Sequence, residues 1–545
     1  MPSALMSRDL PHARGAPSRR VAAGGELFTS DRDQSRQNAL ALPGGTETSI
    51  PDGAKRKGDE LVTRVNGYHV PLLIVVTVVL PLAQAQEESK PPVPAKPPPN
   101  SQPAATQPAG PYSGELLERS AFTGDWWGAR NELADKGVKF DVQVVQYLQG
   151  NAYGGRSTAG AIAYSGTADY ALDFDFQKMG LWPGGHGRIR GETKFGRSLN
   201  RDVGAILVPN FDALLPAPGQ PGLTTLTEYW VMQSLGPKLR FIVGMVDLPD
   251  LPGANVFASG RYDKFMNTAF WYDPVAFSTV PYAAMTAGAI YTPAKWLHGA
   301  TLVVDSHGTP LHSGFETAFH SPHGATVIQQ LTFHIKPCGQ AGNQRLYFTY
   351  STRNRYALRD IGRLLLSGLE APQFDRLELE RAFLTRGRSL RLRNIILRAA
   401  AARLLKPAPQ SHDWAFWYDF DQYLYTCPDD PDQGFGLFGG FGWSPGEVNP
   451  VGQFYYTGLG GKGVIPTRPH DRYGIGYYYL NVSNDLPGFF RANAEQGVEL
   501  FYNIEVTPWL HVTPDLQVIV NPGGNTGPGA REPAIVYGLR AQMSF

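Results

Sequence analysis

Four charged residues stand at alternate positions in one short stretch: Arg188, Arg190, Glu192 and Lys194, separated by Ile189, Gly191 and Thr193 and followed by Phe195. A period of two places all four on one face of a β-strand. Arginine forks beside a carboxylate offer charge-assisted hydrogen bonds, which are stronger than neutral ones. Such a row suits weak, repeated contact with a solute that carries many hydroxyls, because a solute held too firmly does not move on. Alternation marks further candidates in the same way. Asp173 and Asp175 oppose Leu172, Phe174 and Phe176. Glu499, Asn503 and Glu505 oppose Val498, Leu500, Tyr502, Ile504 and Val506, and Arg540 opposes Leu539 and Ala541. Any one of these is adequately explained as ordinary solvated charge. As a set, Arg188 to Lys194 is the best candidate for a constriction.

Other chemistries are poorly supported. Gly442 to Gly446 reads GWSPG, the spacing of a serine nucleophile elbow. That elbow needs the backbone N–H after the serine for its oxyanion hole and a helix behind it. Pro445 has no N–H and no helical pattern follows, so the stretch reads as a strand running into a turn and the chain as a non-enzyme. His307, His312, His320 and His323 cluster loosely without metal-ligand spacing, and Cys338 and Cys427 show no CxxC pattern. No metal or other cofactor is expected, and two unpaired thiols are favoured over a disulfide. A net charge of +1 argues against a nucleic-acid partner, which selects for a basic excess.

The elements that must carry these residues are strands. VKFDVQV sets Val138, Phe140 and Val142 against Lys139, Asp141 and Gln143, and the final stretch sets Ile535, Tyr537, Leu539, Ala541, Met543 and Phe545 against Val536, Gly538, Arg540, Gln542 and Ser544. A soluble sandwich with one wet face alternates similarly. Three features favour a membrane barrel. Charged residues make up only 18% of the chain, below the usual quarter. Trp182, Trp230, Trp443 and Trp509 fall near strand ends, as interfacial girdles do. An apolar row runs to Phe545, an arrangement expected to act as the assembly signal read by the barrel-assembly machinery. Lipid offers no hydrogen bonds to an open sheet edge, so the sheet must close. Residues 112–545 then accommodate about 16 to 18 antiparallel strands, a size that leaves a water-filled lumen.

Before that region the chain changes character. Residues 1–69 are polar and aperiodic, and translation is expected to begin nearer Val62 than Met1. Residues 70–85 combine a preceding Lys55, Arg56, Lys57 and Arg64, a short apolar run from Val70 to Leu82 and the small-residue site Ala83-Gln84-Ala85, the pattern of a cleaved export signal. Residues 86–111 are proline-rich and read as an extended, disordered linker. Arg376 to Lys406 resists the strand reading: Arg381, Arg386, Arg388, Arg391, Arg393, Arg398 and Arg403 fit a basic strand pair or a helical loop insertion equally.

Specific motifs sharpen this picture. Gly124, Asp125, Trp126, Gly128 and Arg130, followed by Leu133, Ala134 and Gly137, resemble the N-terminal signature of the carbohydrate-selective porin family, the OprB type. Arg468, Pro469, Asp471, Gly474 and Gly476 are similar to a later family strand, and the run with Trp509, Asp515 and Gln517 to a third. The resemblance covers most of Phe122 to Phe545 and is weakest between Leu369 and Ser411. It implies a 16-stranded barrel of the bacterial outer membrane, partnered by the lipid bilayer, through which glucose and other small neutral sugars diffuse. A general diffusion porin, or a plugged envelope receptor or tether, is the alternative. Monomer and trimer are equally compatible with the sequence.

Overall fold

In a computed structural model, the described residues are 110, 112–213, 224–250, 255–320, 324–361, 410, 412–463, 465–488 and 490–545. The leader, the signal region, nearly all of the proline-rich segment and Arg376 to Lys406 lie outside them. Sixteen strands occur among the described residues: Val138–Tyr153 (β1), Ile162–Asp175 (β2), Gly185–Gly196 (β3), Thr224–Ser234 (β4), Leu239–Asp247 (β5), Ala283–Ala294 (β6), Leu297–Asp305 (β7), Ala325–Ile335 (β8), Gly342–Ser351 (β9), Asp413–Cys427 (β10), Asp430–Trp443 (β11), Val451–Lys462 (β12), Arg472–Val482 (β13), Ala494–Thr507 (β14), Leu510–Val520 (β15) and Ala534–Ser544 (β16). Each pairs antiparallel with its neighbours, and β1 pairs with β16 to close the barrel. No helix among the described residues is long and apolar enough to cross a membrane; the crossing is made by strands.

The two faces of the wall differ as alternation requires. Leu148, Ile189, Val243, Val303, Leu437, Ile475, Leu500 and Leu539 are exposed on the outside, where lipid meets them. Arg190, Glu192, Lys194, Arg345, Asp419, Asp421, Glu499 and Arg540 are buried on the inside. Connections such as 235–238, 295–296, 428–429 and 508–509 lie at the end where β1 begins and β16 finishes. Longer ones, such as 197–223, 248–282 and 306–324, lie at the opposite end. In bacterial barrels short turns face the periplasm and long loops the exterior, which orients the chain.

The expected tryptophan girdle divides. Trp443 is exposed on the outer face beside Trp414, and Trp182 lies exposed in a periplasmic turn against Phe176. Trp230 points inward instead, with its ring N–H donating to Glu228 at 3.3 Å. Trp509 is buried, its ring N–H donating to the Leu116 carbonyl at 2.7 Å. Cys338 and Cys427 are both free thiols.

Two of the long connections fold back into the barrel and form its core. In the first, Leu199, Leu207 and Phe211 are buried; in the second, Phe257, Phe265, Phe270, Val275 and Ala276 are buried. The wall makes room for the second with glycines on β11, β12 and β13. A Cβ at Gly436 or Gly460 would come within 2.6 Å of Phe257, one at Gly474 within 2.9 Å of Phe265, and one at Gly476 would collide with Phe270. Glycine weakens a strand interior, and here it is used where side chains from the loop must reach the backbone.

Candidate functional site

The candidate site begins on β3. Its four alternating charges all point inward, held in register by pairing with β2: Arg188 lies opposite Asp173, Arg190 opposite Ala171, Glu192 opposite Asp169 and Lys194 opposite Thr167. On the other side, a β-bulge between Arg190 and Gly191 shifts the pairing with β4. A bulge turns the residues beyond it by one position, and Glu228 is thereby placed beside Arg190. Arg188 Nε sits 3.1 Å from Glu228, and Arg190 Nη1 sits 3.2 Å from the same carboxylate. Arg190 also binds Glu192 at 2.5 Å and Asp247 at the end of β5.

The inward loop completes the cluster. Arg261 pairs with Glu192, and with Asp247 at 2.5 Å. It also donates to the Tyr282 hydroxyl at 3.2 Å and lies over the Trp271 ring, 5.3 Å from its centroid. Tyr282 donates in turn to Glu192 at 3.1 Å. Lys194 reaches Asp212 of the first inward loop at 2.5 Å, and Asp212 also accepts from Tyr147 at 2.9 Å. Phe211 packs edge-on to Trp271 with centroids 4.0 Å apart. Three guanidinium groups, one ammonium and five carboxylates, Asp173 included, thus interlock where the two loops meet the β3–β5 wall. A lattice in which most charges have more than one opposite partner keeps donors and acceptors fixed in direction, which is the condition for recognising a solute by its hydroxyls. Arg188 and Asp173, 3.7 Å apart, are the most open members, each about one-third exposed on its side chain.

The other expected lining residues face inward but meet different partners. Glu499 is fully buried and accepts from the Met266 and Asn267 amides at 2.5 and 2.9 Å. Arg540, 1% exposed, donates to the Lys264 carbonyl at 2.8 Å. Asn503, also buried, donates to Thr513 at 2.8 Å. All three were expected along the open path. The correction is that the inward loop covers this wall: Glu499 and Arg540 hold the loop and Asn503 braces the sheet beneath it. Asp175 accepts from the Gln177 and Lys178 amides, each at 3.1 Å, and so fastens a periplasmic turn. Glu505 borders a cavity at the periplasmic end.

The motif residues sit at structural joints. Gly124 and Gly128 take positive φ values of 68° and 89° on either side of Asp125 and Trp126, a conformation that glycine adopts at no steric cost. The turn they make aims Arg130 at the seam. Its guanidinium donates to Phe140 O at 2.8 Å, Asp141 at 3.1 Å and Phe545 O at 2.9 Å, under the Tyr112 ring. Phe122 packs on both Trp509 and Phe545. Asp471 accepts from Arg468 through two nitrogens, from the Tyr502 hydroxyl and from the Glu505 amide, tying a periplasmic turn to β14. Gln517 donates to Pro209 O at 2.8 Å and to Asp515 at 2.8 Å, and accepts from Asn267 at 3.1 Å, so one side chain joins both inward loops.

With this geometry in hand, comparison with known proteins decides the family. The model described as carbohydrate-selective porin, OprB family, matches residues 159–545. The chain belongs to that family. Among relatives, Porin B of Pseudomonas aeruginosa is 22% identical over 454 residues, 77% of this chain and 90% of the relative. The putative porin QuiX of Acinetobacter baylyi is 21% identical over 475 residues, 78% of this chain and 94% of the relative. A high-pH structure of Pseudomonas putida OprB superposes with a TM-score of 0.64 and 22% identity, covering 79% of this chain and all of that one. As a carbohydrate-selective porin, the chain is a channel protein of the bacterial outer membrane, embedded in lipid and serving small carbohydrates.

Alternation alone did not identify Glu228, Asp247, Asp212, Arg261 or Tyr282 as members of this porin's charge lattice. Glu228 sits past a bulge that breaks the period. The others lie at a strand end or in loops, where no period operates.

Proposed function

We propose that small neutral sugars diffuse passively through this porin by way of the Arg188–Arg190–Glu192–Lys194 row and the loop-borne Arg261, which together form its constriction. The observation that carries the reading is the interlocked lattice of β3, β4, β5 and the inward loop, with Arg188 and Asp173 left partly open to the lumen. A hexose passing there meets fixed donors and acceptors of both kinds, each too engaged elsewhere to hold it long. The protein works as a conduit, without catalysis.

Export and assembly follow from the same reading. Residues 70–85 act as the signal, the mature chain begins near Gln86, and 86–111 form a periplasmic linker to the barrel of 112–545, with 1–69 a leader. The barrel-assembly machinery engages the strand that ends in Phe545. Mass analysis of the envelope form tests the start, and recovery of the Val70–Leu82 run in the mature chain overturns it. For transport, liposomes carrying the purified porin are expected to swell faster in glucose than in an uncharged solute of equal size without sugar hydroxyls. Sugar added to a planar bilayer is expected to block ion current. Equal swelling rates and no block would leave a general diffusion porin; absence of any conductance would leave a plugged barrel.

A further inference from the structure

Beyond the constriction, the periplasmic end holds a cavity of about 350 Å³ lined by Arg261, Tyr262 and Asp263 from the loop tip and by Lys462, His470, Arg472, Glu505, His511 and Gln542 from the wall. We infer that this cavity is a second sugar subsite, on the exit side of the channel, that takes one neutral hexose. The inference rests on the sugar-porin reading given above.

Three observations carry it. The first is room: pockets of about 300 to 1,000 Å³ hold small molecules. The second is unspent hydrogen-bonding capacity. Tyr262 is only 8% exposed, yet among the described residues its hydroxyl has no hydrogen-bond partner, and neither does the buried Gln542 Oε1. A buried polar atom without a partner costs stability, and a guest that either side chain turns to meet would remove that cost. Lys462 Nζ makes no hydrogen bond or ion pair among the described residues, while Lys462 lies opposite Arg472 in the β12–β13 pairing, with its side chain on the same inner face.

The third is charge balance. Arg261 is committed to Glu192 and Asp247, outside the cavity. Arg472 is paired with Asp263 at 3.1 Å. Lys462 and Glu505 remain, one of each sign, with His511 3.9 Å from Glu505. With Arg261 and Arg472 held by their own carboxylates, the charges left for a guest are one of each sign, which suits a neutral guest rich in hydroxyls over an ion. Lys462 donates, Glu505 and Gln542 accept, and the Tyr262 hydroxyl does either. The residues come from β12, β13, β14, β15 and β16 and from a loop tip pinned by the Asp263–Arg472 pair, so they converge on the guest from several sides.

The test uses the full-length mature porin in planar bilayers, with glucose added to one side at a time. Sugar arriving from the periplasmic side meets this cavity before the constriction. In Tyr262→Phe and in Lys462→Gln, the association rate of glucose from the periplasmic side is expected to fall about fivefold, the worth of one hydrogen bond. The rate from the loop side should change little. Arg188→Ala should instead weaken block from both sides. Heat-modifiable migration confirms that each barrel is folded, and Tyr262→Phe removes only a hydroxyl. Equal periplasmic-side rates in wild type, Tyr262→Phe and Lys462→Gln would overturn the subsite, as would a preference of the cavity for gluconate over glucose. Loss of glucose block in the wild type itself would overturn the sugar-porin reading, a distinct result.

Discussion

Replacing Phe270 by Ala should open the channel. Phe270 is 2% exposed and packs against Phe265 at 4.4 Å between ring centroids, with Phe438, Tyr456 and Tyr478 around it and Gly476 beneath. Truncating a buried phenylalanine to alanine costs about 3–5 kcal/mol. If that loss falls mainly on docking of the loop against β11–β13, the docked-to-undocked ratio drops by roughly two to three and a half orders of magnitude, at a factor of ten per 1.4 kcal/mol. Backbone anchors at Glu499 and the side-chain anchor at Gln517 remain, so the loop stays tethered while its middle leaves the lumen more often. Single-channel recording is expected to show larger mean conductance and frequent steps between levels, with weaker sugar block. Phe441→Ala, which removes an aromatic ring from the lipid face, should do neither. Gly476→Ala should loosen the loop by crowding the same ring, and the two changes together should be less than additive, because the added methyl then occupies vacated space. A folded Phe270→Ala barrel with wild-type conductance and sugar block would refute the argument that glycine-floored aromatics hold the loop.

Three further outcomes are expected. Arg188→Ala with Arg190→Ala should weaken sugar block about tenfold or more, at about 1.5–3 kcal/mol per charge-assisted hydrogen bond, and shift ion selectivity towards cations; Ile189→Val and Phe195→Leu should do neither, as bilayer recording would report. Burial pushes the Asp273 carboxyl up from the usual 3.8 to about 8, and among the described residues only the Val275 amide, at 3.1 Å, donates to it. The folded loop thus binds a proton that the free chain releases, its contribution to stability falls as pH rises from about 4 to 8, and Asp273→Asn should remove that slope in heat-modifiability measured across this range. Leu539→Asp puts a charge on the lipid face at a cost of about 2 kcal/mol and should lower the folded fraction in a heat-modifiability gel, whereas Leu539→Ile should not.

Much of the wall was legible because the period of two is a property of the backbone. Once one face must meet lipid, Ile189 and Leu539 have to point out and Arg190 and Arg540 inward. The same logic could not say what each inward side chain meets. Glu499 and Arg190 look alike in sequence, yet one holds loop amides and the other stands in a charge lattice, because that depends on which loop folds over which strand. Trp230 shows a related gap: its place near a strand end suggested an interfacial ring, while the β4 bulge turns it to the lumen beside Glu228. Arg261, joined to Glu192, Asp247 and Tyr282, has no periodic neighbour to reveal it. Of the glycines of β11–β13, Gly474 and Gly476 stood out in sequence only as part of a family-like strand, and only contact with Phe257, Phe265 and Phe270 gives the set a purpose.

Those glycines have a consequence for how such a protein can change. The loop and the strands beneath it form a matched pair, since a methyl group at Gly476 and a bulkier or smaller ring at position 270 each spoil the other's fit. A loop grafted from another barrel onto this wall would find hollows shaped for three rings it does not carry. The wall grafted elsewhere would keep its hollows and lose what fills them. Variation in pore width within such a lineage should therefore travel as co-inherited blocks, loop with floor, while the lipid-facing residues between the glycines drift independently.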